Sequence, residues 1–250
     1  MWRNTRMVVL TALCASVYAA VLIPFMIVPL IPGVAHFRPA NALPVVCSFL
    51  FGPAAAWGAA MGNLIGDFFS GIGPGDLFGF VANFLYGVIP YRMWRAWRPD
   101  ERLPAAPREW AFFFLTITTA CLVCAVVVGF GLELLGFVPF AVLANVLVLN
   151  NLATTAVLAP LLLRVLYPRV SRARLRYTDV LGPPRPIPAR TRALGIALLV
   201  TGSVLAFVAG NVVSGGWLPP EALFDLSSRG RLAIAVLPFL AMAILGVLLL

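Results

Sequence analysis

The chain has 250 residues, of which 62% are hydrophobic and only 11% charged, with a mean hydropathy of +0.99. A soluble domain carries about 25% charged residues, so this composition excludes one and points to an all-α integral membrane protein. Its net charge is +9, yet all eighteen basic residues are Arg, so no lysine is present to act as a Schiff base or general base.

The location of the Arg residues gives the orientation. Fifteen of the eighteen fall on three segments: Arg3 and Arg6, then the group from Arg92 to Arg108, then the group from Arg164 to Arg192. Alternate connections of a helical bundle face the same side, and the positive-inside rule makes that side cytoplasmic. Both termini are then expected in the cytoplasm of a multi-pass cell-membrane protein, with Arg38, Arg229 and Arg231 on the outer side. The basic excess is topological, and no nucleic-acid partner is expected.

In chain order, the uncharged run 7–31 predicts a first helix running outward. Two Arg precede it, as in a secretory signal, but the run is longer than the roughly 7–15 residues of a signal core, so an uncleaved helix is expected. An outer connection, 32–39, holds His36 and Arg38. The stretch 40–69 is interrupted at Gly52-Pro53, which predicts a short second helix over 40–51 and a third over 54–69. The glycine-rich outer turn 71–75 leads to a fourth helix, 77–93. A Pro-rich loop over 99–107 precedes a fifth helix over 110–132, and a turn at 136–139 precedes a sixth over 140–166. These six form a substrate-binding membrane domain, residues 1–166. A basic, Pro-rich cytoplasmic linker follows over 167–192. Two further helices, 193–215 and 231–250, form a C-terminal membrane appendix, residues 193–250, joined by an outer loop with Glu221 and Asp225. Eight helices of about 20 residues leave no room for a soluble catalytic domain.

Polar side chains inside a membrane are costly and mark function or packing. On the third helix Ala55, Ala59, Asn63 and Asp67 recur every four residues, beside a stripe of Gly58, Gly62 and Gly66 that lets another helix approach closely. On the fourth, Gly79, Asn83 and Gly87 repeat in the same way, next to Tyr86. On the sixth, Asn145, Asn150 and Asn151 interrupt an aliphatic run. Such amides suit both interhelical hydrogen bonds and recognition of an uncharged heterocycle, and of the last three Asn145 lies nearest the outer end. Asp67, near the outer surface, fits a ligand contact, a solvated side chain or a turn cap. Cys121 and Cys124 form a CxxC, but mid-helix and without a second pair or a nearby His, so they belong to packing; no metal or cofactor is expected.

Missing motifs narrow the function. The only histidine, His36, lies in an outer loop, so no Ser-His-Asp set is expected, and no HExxH, GxxxxGK[ST] loop or paired carboxylates within one helix occur. The chain is therefore expected not to be an enzyme.

Several stretches carry a resemblance. The first helix holds Ala15-x-x-x-Ala19. Phe37-Arg38-Pro39-Ala40-Asn41-Ala42-Leu43-Pro44 is followed by Phe51-Gly52-Pro53-Ala54-Ala55-Ala56-Trp57-Gly58, and then by Gly62-Asn63-Leu64-Ile65-Gly66-Asp67. With Gly79 to Tyr86, this resembles the substrate-binding S components of energy-coupling factor (ECF) importers, closest to those for queuosine precursors, cobalamin and related micronutrients. The resemblance covers about residues 1–166. It implies a six-helix bundle that takes a vitamin-like substrate near the outer surface, beneath the first outer loop. It also implies delivery inward through a separate transmembrane coupling subunit and two ATPase subunits. Carried over, Ala15 and Ala19 are docking residues, and Arg38, Asn41, Asn83, Tyr86 and Asn145 join Asn63 and Asp67 as pocket residues. The two C-terminal helices are additional to that family. Two other readings are a non-catalytic membrane structural or assembly protein, and a lipid-active membrane enzyme.

Overall fold

The computed structural model describes residues 1–25, 29–31, 35–100, 102–182, 186–217 and 227–250. The Gly33-Val34 part of the first outer connection, the core of the Pro-rich linker, and Glu221 and Asp225 lie outside the described residues. Among the described residues nine α-helices form: α1 (Thr5–Phe25), α2 (Ala42–Phe51), α3 (Pro53–Ser70), α4 (Asp76–Trp97), α5 (Pro107–Leu135), α6 (Phe140–Arg172), α7 (Tyr177–Leu181), α8 (Ala189–Ser214) and α9 (Ser228–Leu249). This is an all-α membrane protein: five helical segments, beginning at Thr5, Pro107, Phe140, Ala189 and Ser228, are long and apolar enough to cross a bilayer.

The remaining elements refine the expectation of eight full spans. At about 1.5 Å per residue, the ten residues of α2 rise about 15 Å, half of a bilayer core. Helix α2 ends at Gly52, whose backbone is left-handed (φ +53°), and Pro53 opens α3 in the first-turn position that needs no N–H donor. A Cβ at Gly52 would lie 2.7 Å from the ring of Tyr177, so the α2–α3 corner is sealed by α7. Between α1 and α2 the chain makes a short antiparallel pair, β1 (Pro29–Ile31) with β2 (Ala35–His36), and a 3-10 turn over Pro39–Asn41. Local periodicity gave no sign of these elements or of α7. Helix α6 continues past 166 through Pro160 and Pro168 to Arg172.

Small residues decide which helices touch. A Cβ on Gly62 would come within 2.8 Å of the Ala15 carbonyl oxygen, and Gly58 is pressed as closely on Cys14, so the glycine stripe of α3 packs on α1. Gly87 of α4 sits against the Ala56 backbone of α3 at 2.6 Å by the same measure. Helices α8 and α9 pair through Gly202 against Ala243 and Gly246 against Leu199, and rest on α5, with smaller contacts to α6 and α4.

The two ends of the bundle differ. At the arginine-rich end the core is solid: Phe49 lies 5.1 Å from Phe113 and 5.7 Å from Trp94, and Trp97 stacks on Phe112 at 4.4 Å. Asn4 reaches the Val180 carbonyl there, and Arg92 donates to the Val247 carbonyl at 2.8 Å, so both chain ends lie at this end. The opposite end is hollow.

Candidate functional site

A cavity of about 720 Å³ opens at the end away from the arginine-rich connections. One wall is polar, drawn from the 3-10 turn and helices α3, α4 and α6. The other is apolar and comes from Val128, Leu132, Phe137, Leu143 and Leu147 of α5, α6 and their turn. This combination of apolar side chains with a small set of fixed donors and acceptors is the usual construction of a small-molecule site.

Two hydrogen-bonded chains organise the polar wall. Near the mouth, Arg38 donates to Asn63 Oδ1 at 3.2 Å, and Asn63 Nδ2 donates to Asp67 Oδ2 at 2.6 Å. Asn63 and Asp67 stand four residues apart on α3, so one helical turn aligns them. Gly79 of α4 faces them, and a Cβ there would stand 3.2 Å from Asn63 Nδ2. At the floor, the Tyr18 hydroxyl reaches Asn41 Oδ1 at 2.8 Å and Asn83 Oδ1 at 3.1 Å, while Asn41 Nδ2 donates to Asn151 Oδ1 at 2.6 Å. Asn83 Nδ2 is held by the Gly79 carbonyl at 2.9 Å. Four segments of chain are thus joined through Asn41 and Tyr18, and amides can take part because each donates and accepts.

The rim adds charge. Asp76 accepts from the Gly73 N–H at 2.7 Å and lines the cavity together with Asp67 and Arg38. Burial, and then the Arg38 guanidinium, lower the pKa of His36, which keeps that rim imidazole neutral at pH 7. Among the described residues no group of His, Cys, Asp or Glu forms a metal cluster.

Of the seven residues expected at the pocket, Arg38, Asn41, Asn63, Asp67 and Asn83 line the cavity. The other two do not. Tyr86 is fully buried behind the wall, its hydroxyl 2.8 Å from Thr155 Oγ1 and 3.6 Å from Cys121 Sγ. Asn145 turns away from the cavity, because its Nδ2 donates to the Ala141 carbonyl and to Asn211 of α8. Asn151, which lies further than Asn145 from the outer end of the sixth helix, lines the cavity instead. Tyr18 was missed, although it is the sole tyrosine of an alanine-rich helix.

Ala15 and Ala19 are 5% and 4% exposed, because their face of α1 carries the glycine stripe of α3. The exposed small residues of α1 are Ala12, Ser16 and Ala20, also spaced by four and flanked by exposed Leu13 and Val17.

Compared with known families, the chain matches the QueT transporter over residues 8–168, more than half its length. The chain belongs to the QueT transporter family. QueT transporters are S components of ECF transporters, so this chain is a substrate-binding membrane subunit. The QueT match takes in every element that lines the cavity and stops within α6, leaving α8 and α9 beyond it. No curated protein and no solved structure matches the chain.

Proposed function

We propose that the chain captures a queuosine precursor, or a closely related vitamin-like heterocycle, at the outer face of the cell membrane. It delivers this substrate inward with a separate transmembrane coupling subunit and two ATPase subunits. The observation that carries the reading is the cavity: it joins an apolar wall to a fixed polar one, within the segment that matches the family. A flat ring fits between Phe137 and Leu143 on one side and the Asn41, Asn83 and Asn151 amides on the other. Asp67 and Asp76 supply the counterpart of a cationic or hydrogen-rich substituent, and Arg38 with Asn63 closes the mouth. The positive-inside rule puts the cavity mouth outside and both termini in the cytoplasm.

The docking surface for the coupling subunit is the exposed face of α1 with Ala12, Ser16 and Ala20, where small side chains allow a second helix to pack closely in lipid. A purely structural membrane protein gives no reason for such a cavity. The test is purification of the chain followed by mass spectrometry of co-purified small molecules, with thermal-shift titration against queuosine precursors and a vitamin panel. A bound or stabilising heterocycle is expected. Repeated absence of any bound molecule, with no shift across the panel, overturns the reading.

A further inference from the structure

The segment beyond the family match holds the rim of the cavity from behind. Helix α6 starts at Phe140 after Pro139, a residue with no side-chain acceptor to cap it. Its first amides have no carbonyl inside the helix to reach. They are satisfied from two other helices. Glu133 of α5 accepts the Phe140 N–H, and Ser214 of α8 accepts the Ala141 N–H at 3.1 Å. The Ser214 hydroxyl then donates to Glu133 Oε2 at 2.6 Å, which closes a ring of hydrogen bonds across α5, α6 and α8. The carboxylate also lies at the positive end of the α6 dipole. One turn further along, Asn145 of α6 bonds to Asn211 of α8. Gly210 of α8 leaves room for the fully buried ring of Phe140, and Arg229 of α9 covers Gly136, the left-handed residue (φ +82°) that ends α5.

The residues of this ring are interleaved with the cavity wall. Leu132 precedes Glu133, Phe137 lies in the turn between Glu133 and Phe140, and Leu143 is in the first turn of α6; all three line the cavity. The glutamate and the serine are therefore placed to fix where the apolar wall stands.

We propose that Ser214 and Glu133 are positioning residues: together they cap α6, so that the α8–α9 hairpin braces the outer α5–α6 rim and slows escape of bound substrate. This rests on the importer reading for its ligand, but the brace itself has a readout that needs none. In the full-length protein, Ser214→Ala should raise amide hydrogen exchange in 137–145 by about fivefold, the size of one lost helix cap, and leave α1 to α4 unchanged. Dissociation of a radiolabelled queuosine precursor should quicken by a similar factor. Ser214→Thr, which keeps the hydroxyl, should restore both, and Leu205→Ala on the exposed face of α8 should change neither. Unchanged exchange at the rim, or an equal rise throughout the chain, overturns the brace. So does a bound precursor that leaves Ser214→Ala no faster than wild type. A wild-type protein that binds neither a precursor nor any member of the vitamin panel overturns the importer reading instead, and rim exchange then decides the brace alone.

Discussion

Asn41→Leu removes the side chain at which the two halves of the cavity floor are joined. Two bonds go: the one accepted from Tyr18 at 2.8 Å and the one donated to Asn151 at 2.6 Å. Tyr18 keeps Asn83 as an acceptor at 3.1 Å, so its loss is partly made good. Asn151 Oδ1 loses its donor. An orphaned buried acceptor costs about 1–3 kcal/mol in a soluble core, but hydrogen bonds between membrane helices average about 0.6 kcal/mol and reach about 1.7. Asn151 is buried between membrane helices, at 1% exposure, so the range for membrane helices applies. The expected loss is about 1–2 kcal/mol, most of it in the Asn41–Asn151 pair. The assay is reversible unfolding of the purified protein in mixed detergent micelles, on wild type, Asn41→Leu, Asn151→Leu and the double variant. A coupling of about 0.6–1.7 kcal/mol is expected. Additivity within about 0.3 kcal/mol would show that the two amides do not act together, and the description of the floor as one network would fail.

Three further outcomes follow from the same geometry. Ser16→Trp, on the exposed face of α1, should abolish uptake in cells that supply the coupling module while the purified variant keeps its affinity for substrate; loss of affinity, or normal uptake, would refute docking there. Gly62→Ala should cost about 1–3 kcal/mol in the same unfolding assay, because its Cβ would press on the Ala15 carbonyl oxygen at 2.8 Å and neither backbone can yield; unchanged stability would mean that α1 and α3 are not in contact. Asp67→Asn can still accept from Asn63, so the fold should hold, but affinity for a cationic precursor should fall by about tenfold or more, roughly 1.4 kcal/mol, with an uncharged analogue little affected. Equal loss for both ligands in a titration would remove Asp67 from charge recognition.

Much of this was legible along the chain. Segregation of Arg from the apolar runs gave the membrane class, and Gly52-Pro53 marked the α2–α3 corner because a left-handed glycine and a helix-starting proline leave little alternative. The four-residue spacing of Asn63 and Asp67 put both on one face of α3 before any neighbour was known. Tertiary structure decided which faces point where. Helix α1 carries two small-residue stripes, Ala15 with Ala19 and Ala12 with Ser16 and Ala20, and nothing in their order says which one α3 covers. Asn145 and Asn151 look alike in the sequence of α6, yet one is drawn to Asn211 of α8 and the other to Asn41 on the cavity floor. The reason lies in the solvent: lipid is as apolar as a protein interior, so hydrophobic patterning that separates inside from outside in water has no such contrast to report here. In this chain only the close approach of glycine-bearing helices, and the polar groups left between them, select the inward face.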